Sequence, residues 1–139
     1  MSFREKSAWI TFVLVLAVFA LWLTNVIRVE FFGLRHGNPM LFAIGLLTIF
    51  IVAEIVLHVA IALQSPAEAR APKDERERLI DLKASRVGFY VLAAGAWLSV
   101  GSMHIRFNTL FVAQNVMGAL FIAELVKLAT QIVLYRRDA

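Results

Sequence analysis

The chain is 139 residues long and 60% hydrophobic, where an ordinary soluble domain runs about 45–50% apolar. Its mean hydropathy is +0.77 and its formal net charge +4, and it has no cysteine, which excludes disulfides, thiol catalysis and thiolate metal sites. A soluble helical bundle needs a polar outer face at the helical period, and "ITFVLVLAVFALWL" at 10–23 has none.

The apolar residues fall into four runs, 7–27, 40–63, 86–103 and 109–134. A helix crosses the hydrocarbon core with about 20 such residues. The reading is an all-α membrane protein, one four-helix transmembrane domain over 1–139. The first run is longer than the apolar part of a cleaved leader and lacks an A-x-A site after it, so it is expected to be retained as a span. "HGNP" at 36–39 is a turn that places Pro39 in the first turn of the second span.

The second span holds Glu54 and, one turn on, His58. An ionised group at mid-bilayer faces the bundle interior and finds a partner. After it, "SPAEARAP" at 65–72 reads as a flexible, helix-breaking lead-in within a cytoplasmic loop and helix over 64–85. From Lys73 a continuous helix is expected to about 103, with Asp74 and Glu75 in a first turn that favours acids. Lys73–Glu77 and Asp74–Arg78 stand at i,i+4, each worth about 0.3 kcal/mol if formed. Leu79, Ile80 and Leu82 give this segment an apolar side. It is either a solvated connector or a docking helix for a protein partner, through Asp74, Glu75, Arg76, Arg78, Leu79, Ile80 and Leu82.

In the third span Ser85, Gly88, Gly95, Ser99 and Ser102 fall near one seam, with Leu92 its large member. Small residues let helix backbones approach closely in lipid, so this is the expected packing face, within one chain or between two in a homodimer. "HIRFNT" at 104–109 is the second outer turn. The fourth span repeats the charge puzzle with Glu124 and Lys127, and Gln131 extends that face; Asn115 and Gln114 lie nearer its start. Setting Ala53-Glu54-Ile55-Val56 against Ala123-Glu124-Leu125-Val126 gives an offset of 70, which suggests two parallel two-helix repeats.

Orientation follows from the basic residues. Arg4, Lys6, Arg70, Lys73, Arg76, Arg78, Lys83, Arg86, Arg136 and Arg137 lie at the termini and in the middle loop; the other two loops hold Arg28, Arg35 and Arg106. Both termini are expected in the cytoplasm, and the positive charge reads as affinity for anionic headgroups. No basic, aromatic-interleaved surface for direct nucleic-acid binding is present.

Three roles stand open for the charged pairs: structural glue, a Glu that carries protons against a substrate, or a Glu–His arrangement that senses pH or a ligand. Haem or metal binding needs paired histidines, and His58 stands apart along the chain from His36 and His104, so no cofactor and no metal are expected. There is no H-E-x-x-H, no G-x-S-x-G and no phosphate-binding glycine loop, so no enzymatic activity is expected. Trp9, Trp22 and Trp97 read as interfacial anchors or packing residues.

"DERERLIDLKASRVGFYVL" at 74–92 resembles a segment of the DUF2178 group, small four-helix bacterial and archaeal membrane proteins. The matching positions are Asp74, Glu75, Arg76, Ile80, Lys83, Ala84 and Tyr90, about a seventh of the chain. The resemblance implies a bacterial inner-membrane location and a small helix-turn-helix transcription factor as partner. It reaches neither Glu54 nor Glu124. The expected function is therefore a membrane regulator that holds a soluble partner through 73–86. The alternatives are a small dimeric proton-coupled transporter using Glu54 and Glu124, and an accessory subunit of a larger membrane complex. The first helix has no charge between Ser7 and Ile27, which sets the chain apart from the small multidrug resistance class, whose essential Glu lies there.

Overall fold

The computed structural model describes residues 3–34, 37–105 and 109–137. His36, Arg35 and Arg106 lie outside the described residues, and so does part of each outer turn. Among the described residues all regular structure is helical: α1 Phe3–Phe32, α2 Pro39–Gln64, α3 Pro66–Arg70, α4 Glu75–Gly101 and α5 Thr109–Arg137, with a single 3-10 turn Ser102–His104 after α4. Four of these helices are long and apolar enough to cross a membrane. The domain expected over 1–139 divides into two compact units, 1–71 and 72–139.

In the first unit, α1 packs on α2. Gly33 stops α1 because it takes a left-handed backbone, φ 63°, which costs glycine little; the Leu34 N–H then reaches back to the Arg28 carbonyl at 3.1 Å. Asn38 opens α2 by accepting from the Phe42 N–H at 3.1 Å, and Pro39 follows where its missing N–H costs nothing. The inner face is thin: Ala8, Val15 and Val18 on α1, Leu46 and Ile61 on α2. Around it Leu47, Ile51, Ile55 and Val59 of α2 stand exposed. So many exposed branched side chains on one helix are stable only in an apolar solvent.

The segment 65–72 is more ordered than its composition suggests. Pro66–Arg70 makes one helical turn, since proline suits the first helical position and Ala-Glu-Ala-Arg are good helix formers.

In the second unit, α4 and α5 form an antiparallel hairpin. Its contact line on α4 is Ile80, Ala84, Gly88 and Ser99, all buried, with Gly95 between them. Added to Gly95, a Cβ would lie 2.5 Å from the Ala119 Cβ; added to Gly88, it would lie 2.9 Å from the Lys127 Cβ and 3.3 Å from the Ala123 carbonyl oxygen. The glycines thus set how near the two backbones come. Leu128 and Ile132 complete the buried face of α5. The 70-residue offset holds for the elements as well: Thr109 opens α5 where Pro39 opens α2, and α4 falls inside the displaced frame of α1.

Candidate functional site

Polar side chains gather on the inner lines of both hairpins. In the first unit the antiparallel pairing sets Ser7 beside His58 and Thr11 beside Glu54, a step of one turn on each helix. The Ser7 Oγ lies 2.7 Å from His58 Nε2. His58 Nδ1 is 2.9 Å from Glu54 Oε2 and 2.9 Å from the Glu54 main-chain oxygen. Both of those atoms accept, so Nδ1 carries the hydrogen. The Thr11 hydroxyl donates to Glu54 Oε2 at 3.3 Å. Glu54 Oε1 is buried with no hydrogen-bond partner among the described residues. The Glu54 side chain is 18% exposed and His58 35%.

The pairing of Glu54 with His58 was legible from their spacing. The two hydroxyls of α1 were not, because one Ser and one Thr in a long apolar run carry little weight alone. Their own i,i+4 spacing, matched to that of Glu54 and His58, is the signal that could have found them.

The second acid is placed differently. Glu124 Oε1 accepts from Lys127 Nζ at 2.8 Å, within one turn of α5, and both side chains are only part-buried, 42% and 31% exposed. Glu124 is thus matched within its own helix, while Glu54 is held both by His58 of its own helix and by Thr11 of α1.

Gln131 belongs to another contact. Its amide donates to Asp81 Oδ1 on α4 at 3.0 Å, and Lys73 forms an ion pair with the other oxygen, Oδ2. The sequence does not single out Asp81; the structure brings it against α5 through Gln131. Asn115 donates to the Ser102 hydroxyl at 3.0 Å, and Ser102 in turn donates to the Ser99 carbonyl at 2.7 Å. The Oε1 atom of neighbouring Gln114 is buried and has no partner among the described residues.

The start of α4 differs in detail from the sequence expectation. Asp74 is the N-cap, its carboxylate accepting from the Glu75 N–H at 2.7 Å, and Glu77 Oε2 accepts from the Asp74 N–H at 3.3 Å. This is a capping box. Lys73 also forms an ion pair with Asp81, and the Asp74 carboxylate caps the helix end. Ile80 is 3% exposed, whereas Leu79 is 55% and Leu82 66% exposed. Ile80 therefore packs inward, and Leu79 and Leu82, with exposed Arg76, Arg78, Lys83 and Arg86, make the outer face. Glu75 is exposed at the same end. Ser85 is exposed too, and Ala84, wholly buried, takes its place on the packing line.

Trp97 is exposed; the Trp9 ring meets Phe12 edge-on at 6.0 Å, and Trp22 stacks on Phe19 at 5.8 Å. Among the described residues no three His, Asp or Glu side chains are grouped as metal ligands would be.

Four long apolar helices with exposed aliphatic faces and internally matched polar groups define a multi-pass helical membrane protein. Comparison with protein-family models, curated proteins and solved structures found no match.

Proposed function

We propose that this chain is a non-enzymatic regulator of the cell membrane, with both termini in the cytoplasm, that holds a soluble protein on the first turns of α4. The observation that carries the reading is the state of that helix start. Three of its acids are used internally, Asp74 and Glu77 in the capping box and Asp81 between Lys73 and Gln131. What stands outward is Leu79 and Leu82 among Arg76, Arg78, Lys83 and Arg86, with Glu75 the one exposed acid of the first turn. Such a face suits a partner with an apolar groove rimmed by Asp and Glu, in the manner of an amphipathic helix laid in a groove. Fixing the helix in advance lowers the ordering cost of binding. The DUF2178-like segment favours a small helix-turn-helix protein as that partner, and the basic residues of 70–86 support a cytoplasmic location for this end.

The test is co-purification of the tagged protein from membranes with such a partner. Leu79→Asp with Leu82→Asp should abolish capture while membrane insertion is unchanged. Charge reversal at Arg78 should weaken it. Reversal at Asp74 is a poor probe, because it also removes the helix cap. Capture unaffected by the double leucine variant contradicts the proposal.

A further inference from the structure

We propose that Ser7, His58 and Glu54 form a proton-binding site within the α1–α2 hairpin, with His58 Nε2 as the atom that gains and loses the proton. His58 Nδ1 faces two acceptors of Glu54 at 2.9 Å, the carboxylate and the main-chain oxygen. It keeps its hydrogen whether the ring is neutral or charged. Nε2 is then the only ring position at which the charge can change.

The partner of Nε2 is a hydroxyl, and a hydroxyl both donates and accepts. With the ring neutral, Ser7 donates to Nε2 across 2.7 Å. With the ring charged, Nε2 donates to the Ser7 oxygen instead. The Ser7–His58 hydrogen bond can thus be kept in both states across the same contact. A lysine in place of Ser7, a donor only, would satisfy the neutral ring alone.

The charge count favours a second state as well. With the ring neutral, the Glu54 carboxylate holds two hydrogen bonds on Oε2 and none on buried Oε1. With the ring charged, the pair is neutral overall, which suits an apolar span.

The elements packed on α2 bring few other charges. These are Arg4, Glu5 and Lys6 at the start of α1, Arg28 and Glu30 at its end, and Glu68 and Arg70 on α3. Arg4 donates to the Ala71 carbonyl at 3.0 Å, and the hydrogen bonds of Glu54 and His58 among the described residues go to Ser7, Thr11 and each other. Ser7 stands one turn from Arg4, at the end of the hairpin where α1 begins. The inference is independent of the docking face on α4.

The test uses the full-length protein with nitrogen-labelled histidine in phosphatidylcholine nanodiscs, followed by NMR as pH falls. His58 is assigned by loss of its signals in His58→Gln. Nδ1 should stay protonated throughout, and Nε2 should gain its proton in one reversible step. Glu54→Gln should alter the step, because it changes the group that Nδ1–H faces at 2.9 Å. Ser7→Ala should shift the step, and Ser7→Thr should restore it, which a packing role alone would not do. Hydrogen on Nε2 with Nδ1 bare overturns the proposal, as does a His58 that never titrates. So does a step unmoved by Ser7→Ala; this readout stands even if Glu54→Gln does not fold.

Discussion

Gly95 and Ala119 face each other across the α4–α5 contact: a methyl on Gly95 would sit 2.5 Å from the Ala119 Cβ and 3.4 Å from its Cα. Backbone stands behind the contact, so the clash has no flexible side chain to absorb it. Gly95→Ala should destabilise the hairpin by roughly 1–3 kcal/mol, the range for overpacking. Gly101→Ala has nothing within 4 Å of its new methyl and should be near neutral or slightly stabilising. Reversible unfolding in mixed micelles separates the two; equal effects would contradict this packing.

The start of α4 is tied to α5 through Asp81, which holds Gln131 and Lys73. Asp81→Ala should speed amide exchange over residues 75–82 while leaving 92–100 protected. Asp74→Ala removes the cap and should cost about 1 kcal/mol, with faster exchange in the first turn of α4. Unchanged exchange in both variants would mean that neither contact orders this segment.

A chain without cysteine gives single-cysteine variants free of background. In cells, Ser65→Cys and Glu75→Cys should be labelled by a membrane-impermeant maleimide only after the membrane is opened. Asn38→Cys should be labelled from outside. The reverse pattern would invert the orientation proposed from the basic residues.

The long helices were legible because each contains a long, mostly apolar run, and lipid imposes helix on such a run that lacks strand partners. What sequence could not rank was direction around each helix at short spacing. Leu79, Ile80 and Leu82 look like one apolar side, but adjacent residues point about 100° apart, and the structure turns Ile80 inward and its neighbours out. The same one-residue step separates exposed Ser85 from buried Ala84. The hydroxyls that hold His58 and Glu54, and the role of Asp81, depend on which residues of a second helix lie opposite. That register is a tertiary fact, visible only when two helices are paired.

The docking face is tested most directly by photo-crosslinking in living cells, with a photoreactive residue placed in turn at Leu79, Ile80 and Leu82. The account predicts one and the same soluble protein joined to the chain from positions 79 and 82, and no such adduct from 80. Adducts to lipid alone at 79 and 82, or equal yield from buried position 80, would contradict it.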